Sequence, residues 1–361
     1  MRKIHVPLGA HSYDIFIGQN VCTEISSFCS QENFSPTAML IVDENVTPLY
    51  AEDILDALRA GGLKPKLATV PAGEVSKSLP MAENLYTQMI EEELDRKSPI
   101  IALGGGVTGD LAGFIAATYM RGVPFVQVPT SLLAAVDSSV GGKVAVNHIL
   151  GKNLIGAFYQ PQAVFVNLSF LKSLPMREVR AGLGEIIKYG VIYDPELFAY
   201  LEAHTQEILD LQEDCLTHIV ARCVEIKAEV VAKDERENGL RRILNFGHTT
   251  AHVIEKETHY IGFNHGEAVA IGMLVAGKIS AALGLCKLDD VKRIENLLHA
   301  FAMPTKALGL DVEKMYADTI HDKKAIRGKV HWILMTEIGK VIERADIEEA
   351  VVKKAMKGVV E

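Results

Sequence analysis

Cysteine is scarce in this chain and badly spaced for its structural uses. The five cysteines, Cys22, Cys29, Cys215, Cys223 and Cys286, are odd in number, scattered and without a CxxC pair. That argues against a disulfide framework and a thiolate zinc site, and fits a reducing cytoplasm. A basic surplus is also lacking. A net charge of -9 argues against a general nucleic-acid binder, because neutralising phosphates needs a basic surface. The one run that suggests a membrane span, residues 268–285, carries Lys278 at its middle and is rich in Gly and Ala, so it reads as a buried, tightly packed helix. The opening Met1-Arg2-Lys3-Ile4-His5-Val6 lacks the continuous apolar core of a signal peptide, and no export is expected. Internal repeats and low-complexity linkers are missing too.

What remains is an ordinary soluble composition. With 361 residues, 48% hydrophobic and 23% charged, the chain is long enough for two cores. Up to about residue 170, short β-branched runs at 39–42, 66–70, 99–103, 125–128 and 163–166 alternate with helical patterns such as 51–60 and 79–93. That alternation predicts a parallel α/β sheet, with residues 3–17 as an antiparallel edge hairpin turning near Gly9. After Pro175 long helical patterns take over at 177–189, 195–211, 215–233 and 291–301. A small hairpin over 330–335 and 340–342 and a last helix from Ile347 close the chain. The expected organisation is an α/β, Rossmann-like nucleotide-binding domain over residues 1–175. A mainly α-helical metal- and substrate-binding domain over residues 176–361 follows, and pockets commonly lie in the cleft between such halves.

The buried run at 99–103 enters Gly104-Gly105-Gly106-Val107-Thr108-Gly109-Asp110 and then a helix. Gly104, Gly106 and Gly109 satisfy GxGxxG in the strand-turn-helix setting that lets backbone approach a pyrophosphate at a helix N-terminus. A merely tight turn is the other reading. Asp43, directly after the first parallel strand, suits either ribose hydroxyls or an Asx turn. Ala72-Gly73-Glu74-Val75-Ser76-Lys77 makes a second Gly-containing turn on the same edge. Farther on, Arg121, Lys143 and Lys152 stand among glycines and small hydroxyl residues such as Thr130 and Ser131, a pattern suited to an anionic ligand.

Histidines His248, His252 and His265 fall within about twenty residues. A helix over 245–258 would put His248 and His252 on one face. Thr249 stands where a zincin needs its Glu, so a protease reading is poor. His265 precedes an apolar run whose helix start would favour the neutral imidazole. Glu185 and Lys188, three apart on an apolar helix, read as an internal ion pair or as a buried ligand. Together Glu185, His248 and His265 would form a two-His, one-carboxylate site acceptable to zinc and several other divalent ions.

Eight blocks in order, including Val136-Asp137-Ser138-Ser139-Val140-Gly141-Gly142-Lys143, Leu150-Gly151-Lys152-Asn153, Gly184-Glu185-Ile186-Ile187-Lys188 and Leu244-Asn245-Phe246-Gly247-His248, resemble the 3-dehydroquinate synthase family of sugar-phosphate cyclases nearly end to end. The resemblance implies a zinc or cobalt ion on Glu185, His248 and His265, with His252 left to the substrate. It implies NAD contacts from Asp43, Asn45, Ala72, Gly73, Glu74, Val75, Ser76 and Lys77. Gly106, Val107, Thr108, Gly109, Asp110, Thr130, Ser131, Lys143, Lys152, Phe170, Leu171, Lys172 and Ser173 would complete the NAD site. Substrate contacts would come from Arg121, Asp137, Lys143, Asn153, Lys188, Lys227, Arg241, Asn245, His252 and one of Lys323 and Lys324.

The implied reaction converts 3-deoxy-D-arabino-heptulosonate 7-phosphate to 3-dehydroquinate and phosphate, in the shikimate route to aromatic amino acids. It runs by alcohol oxidation, phosphate elimination, carbonyl reduction, ring opening and aldol closure with NAD recycled, the substrate phosphate assisting proton removal. A homodimer is the family expectation, and the cysteines, charge and hydropathy point to a cytoplasmic protein with no nucleic-acid or membrane partner. Ala251 departs from the family's usual Gly. A sister sugar-phosphate cyclase and a metal-dependent polyol dehydrogenase are the rival readings.

Overall fold

The computed structural model describes residues 1–320 and 330–361. They form two compact units, Met1–Leu174 with Cys223–Arg236, and Pro175–Arg222 with Glu237–Glu361. The stretch Cys223–Arg236, which a division at residue 175 assigns to the helical half, counts with the first unit. There, buried Lys227 donates from Nζ to the Asp137 backbone oxygen at 2.7 Å and pairs with its Oδ1 at 2.9 Å.

The first unit is a doubly wound α/β layer structure. Its strands are β1 (Arg2–Val6), β2 (Tyr13–Gly18), β3 (Thr37–Asp43), β4 (Lys64–Val70), β5 (Ile100–Gly104), β6 (Phe125–Pro129), β7 (Lys143–His148), β8 (Gly151–Phe158) and β9 (Ala163–Asn167). Seven of them form one sheet in the order β1-β2-β9-β6-β5-β3-β4, and β7 and β8 form a separate hairpin. Within the seven-stranded sheet only β1 and β2 pair antiparallel, as the edge hairpin was expected to.

Successive side chains of a strand point to opposite faces, and β3 shows why both faces need cover. Met39 and Ile41 enter one core with Leu85 and Met89 of α3 (Leu79–Glu91) and Leu111 and Ile115 of α4 (Gly106–Thr118). Leu40 and Val42 enter the other with Ile25 of α1 (Cys22–Gln31) and Ile54 and Leu58 of α2 (Thr47–Ala60). Both-face burial explains why these strands read as continuous apolar runs.

The second unit is mainly helical. Its helices are α5 (Met176–Ile192), α6 (Pro195–Ala203), α7 (Thr205–Leu209), the first half of α8 (Glu213–Lys233), α9 (His248–Glu257), α10 (His265–Ala282), α11 (Leu288–Ala300), α12 (Val312–Ile320) and α13 (Glu349–Val360). The antiparallel pair β10 (Trp332–Glu337) and β11 (Lys340–Arg344) completes it. The expected helix over 195–211 is broken at His204, whose φ of -122° leaves the helical region. The one expected from 245 begins only at His248, because Leu240–Asn245 is a 3-10 turn and Gly247 takes a left-handed φ of 79°.

Helix α10 is buried on nearly every side, as its run of small and apolar residues predicts. No described helix is long and apolar enough to cross a membrane. Ser280, fully buried, holds α10 to the hairpin: its Oγ donates to the Ala276 oxygen at 2.7 Å and accepts from the Met335 N–H at 3.0 Å. Ser280→Ala should cost about 1–3 kcal/mol by stranding that N–H. The check is a urea titration, in which the midpoint falls while the slope is unchanged; an unmoved midpoint contradicts it.

Candidate active site

Three ligand-type side chains converge in the second unit. Glu185 sits on α5, completely buried. His248 and His265 are the first residues of α9 and α10. The Nε2 atoms of both rings lie 3.4 Å from Glu185 Oε1, and one ligand atom from each residue falls within 4.8 Å of the others. Close helix packing makes this possible: a Cβ on Gly184 would stand 2.6 Å from the Gly266 carbonyl oxygen, so α5 and α10 meet where Glu185 and His265 lie. The entry to α10 is itself pinned. Asn264 and Glu267 form a capping box, and Arg177 holds the Glu267 carboxylate bidentately at 2.9 and 2.7 Å.

Each imidazole is oriented from behind. His248 Nδ1 lies 3.1 Å from the Phe246 carbonyl oxygen, which assigns the Nδ1 proton as donor and leaves Nε2 facing Glu185. His265 Nδ1 lies 3.4 Å from Glu255 Oε1, the carboxylate–histidine arrangement of metal sites. Glu255 was not singled out in the sequence, since its role depends on a helix ten residues downstream folding back over it.

The Glu185 carboxylate divides its two oxygens between different partners. Its Oε2 pairs closely with the buried Lys188 ammonium, while Oε1 faces the imidazoles. The Lys188 charge also lies 4.7 Å above the Tyr189 ring. His252, the i+4 neighbour of His248, has its ring 5.8 Å from that of His248 and 6.5 Å from that of His265, and stands outside the three-residue group. Arg241 is buried, and Asn245 donates from Nδ2 to Glu237 Oε1 at 2.6 Å. That pairing adds Glu237, whose sequence setting is an unremarkable charged loop, to the polar cluster.

Sequence-predicted residues of the first unit gather on the sheet's carboxyl edge. Registers Asp43↔Val70 and Gly104↔Pro129 align the strand ends. Asp43 and Asn45 follow β3, Ala72, Gly73, Glu74, Val75, Ser76 and Lys77 follow β4, and Gly106, Val107, Thr108, Gly109 and Asp110 open α4 after β5. Thr130 and Ser131 follow β6, and Phe170, Leu171, Lys172 and Ser173 lie in the 3-10 turn after β9. The strand order reverses beside β3 and β5, where open α/β sheets bind ligands. A Cβ on Gly106 would stand 2.8 Å from Ser138 Oγ, so the α4 N-terminus is a bare backbone cradle. Asp43 Oδ1 accepts from the Asn45 N–H at 2.9 Å, the Asx turn.

Arg121 and Asn153 have left-handed backbones, φ 69° and 55°. Lys143 begins β7 with its side chain exposed, and Lys152 and Asn153 lie near the start of β8. Lys77 pairs with Asp110, and Lys152 Nζ lies 3.1 Å from Glu74 Oε1. Burial pushes the Asp110 carboxyl up despite Lys77. At Glu74 burial works the same way, but Lys152, Lys77 and the Asn147 amide outweigh it and hold the carboxyl below its ordinary value. Lys323 and Lys324 lie outside the described residues.

The family model described as 3-dehydroquinate synthase N-terminal matches residues 67–181, and that described as 3-dehydroquinate synthase C-terminal matches residues 182–325. A solved 2-deoxy-scyllo-inosose synthase, complexed with carbaglucose-6-phosphate, NAD+ and Co2+, is similar with TM-score 0.90 and 27% identity, covering 99% of this chain and 100% of that one. The 2-epi-5-epi-valiolone synthase from Streptomyces hygroscopicus, with NAD+ and Zn2+ bound, follows at TM-score 0.87 and 25% identity over 96% of each chain. The fold is therefore that of the sugar-phosphate cyclases. A 3-dehydroquinate synthase of Desulforamulus reducens is 47% identical over 351 residues, 97% of this chain and 98% of the relative. This chain belongs to the 3-dehydroquinate synthase family.

The donor set fits a divalent cation, with one electrostatic surprise. The helix start was expected to keep His265 neutral, yet it is pushed up to about 10. Burial opposes the charged ring, but hydrogen bonds to Glu185 and Glu255 prevail. Without metal, the stabilisation from this pairing is present below the ordinary histidine value of 6.5 and is lost as pH rises through about 10. Ligation requires the neutral ring, so zinc uptake at pH 7 should expel about one proton from His265. Calorimetry in buffers of different ionisation enthalpy counts it; uptake without proton release contradicts the assignment.

Proposed function

We propose that this chain converts 3-deoxy-D-arabino-heptulosonate 7-phosphate to 3-dehydroquinate and inorganic phosphate, with NAD as a recycled cofactor and one divalent ion, zinc or cobalt. The observation that carries this is the convergence of Glu185, His248 and His265 in a chain of this family. Glu185, His248 and His265 would hold the ion, and the α4 N-terminus with the loops after β3, β4, β6 and β9 would hold NAD. When bound, the ion supplies Lewis acidity toward a substrate hydroxyl and NAD supplies a reversible hydride acceptor.

The chain's own residues do the rest. The ring protons on Nδ1 stay engaged with Phe246 and Glu255, so both Nε2 atoms remain directed at one point. Arg121, Lys143 and Asn153, with one of Lys323 and Lys324, would hold the phosphate through charge-assisted hydrogen bonds as it leaves. Lys227 is kept in place by Asp137. With Lys188, Arg241 and Asn245, Lys227 would take the substrate carboxylate and hydroxyls. Asp137 and His252 would move protons. A homodimer in the cytoplasm is the assembly and location this reading implies.

Supplying the heptulosonate phosphate with sub-stoichiometric NAD should release one phosphate per substrate without net NADH, and sedoheptulose 7-phosphate or glucose 6-phosphate should give no turnover. NADH accumulation, or preference for either other sugar, would contradict it. His248→Ala should lose both metal and activity. His252→Ala should keep its metal and lose rate by about 100-fold or more, the scale of a lost acid–base group. Loss of metal in both variants, measured by atomic absorption, would restore the helical His pair as the ligand set.

A further inference from the structure

The β7–β8 hairpin joins the two sets of contacts in the first unit through one side chain. Asn147, half-buried on β7, donates from its backbone N–H to the Lys77 oxygen at 2.8 Å and bridges Ser78. Its Nδ2 donates to Glu74 Oε2 at 2.7 Å, and its Oδ1 accepts from the Asn153 N–H at 3.0 Å. The second bond lies where the hairpin ladder slips, between pairs Val146↔Ile155 and His148↔Gly151. There the side chain replaces a ladder acceptor, and Asn153 takes its left-handed φ of 55°. Asparagine is among the few L residues that adopt that conformation readily, and here the Asn147 amide holds its N–H.

From this geometry we infer that Asn147 is the positioning residue that sets Glu74 toward NAD and Asn153 toward the phosphorylated sugar together. The inference rests on the function proposed above. An amide is required because the two ends need opposite polarity: an acceptor for Asn153 and a donor for the Glu74 carboxylate. Glu74 is held from the hairpin on both oxygens, by Asn147 on Oε2 and Lys152 on Oε1. Turning or removing the amide therefore frees the nucleotide loop and the substrate contact at once.

The polarity argument gives a test that a merely structural residue would not pass. Asn147→Ala should raise the NAD dissociation constant, measured by direct calorimetric binding, and the KM for the heptulosonate phosphate at saturating NAD, each about tenfold. Asn147→Asp keeps the acceptor for Asn153 but sets a second carboxylate against Glu74. It should weaken NAD about tenfold while leaving the sugar KM within about threefold. Adding Glu74→Gln to Asn147→Asp restores a donor–acceptor pair with the roles exchanged, and this double variant should bind NAD more tightly than Asn147→Asp alone.

Equal changes in both constants for Asn147→Asp, no rescue in the double variant, or no change in either single variant would overturn the inference. Melting temperatures within a few degrees of wild type confirm that the variants fold. A wild-type protein that binds no NAD or releases no phosphate would instead overturn the proposed function, and this inference with it.

Discussion

A carboxylate with no exposed surface governs the second unit. Glu185 is placed among apolar side chains of α5, and an ionised group there is tolerated only if charge and hydrogen bonds replace its water. Lys188 answers one oxygen from the same helix, three residues on, and the two imidazoles face the other. Local sequence can supply the lysine. It cannot supply the histidines, which arrive from two other helices, and the glycine contact at Gly184 and Gly266 brings α10 close enough for this. Both histidines open their helices, and the Phe246 carbonyl and the Glu255 carboxylate aim the rings.

A parallel constraint shapes the first unit. The central strands are buried on both faces, which leaves the carboxyl edge as the place where polar groups can gather without breaking a core. Glycine at the start of α4 exposes backbone there, and Lys77, Asp110, Glu74 and Lys152 form a charged rim around it. The rim is balanced by pairing: each lysine has a carboxylate within reach.

Much of this was legible in the sequence because it follows local rules. The apolar runs at 39–42 and 163–166 became β3 and β9 since both-face burial demands continuous hydrophobicity, and the Gly104 to Gly109 turn became the start of α4 because bare backbone suits a helix entry. The trio Glu185, His248 and His265 was legible as residue types, and the structure brings the three together. What was not legible depends on long-range placement. The β7–β8 hairpin was hidden because its glycines and polar residues imitate a loop, and with it the role of Asn147. Glu255 and Glu237 look like ordinary surface acids until folding sets them beside His265 and Asn245. The His265 ring is pushed up rather than toward its neutral form, because burial is overcome by hydrogen bonds to Glu185 and Glu255, neither of which is near it in local sequence. Residues 223–236 continue a helix without a break, so nothing local signals that they join the other unit.

The account stands on two imidazoles and one carboxylate sharing a single ion. X-ray absorption spectroscopy on the zinc-loaded protein tests this directly, because imidazole rings leave a distinctive outer-shell signature. It should report nitrogen and oxygen neighbours at about 2.0–2.2 Å with two imidazoles per zinc. Three imidazoles, a sulfur neighbour, or a shell made of water alone would contradict it.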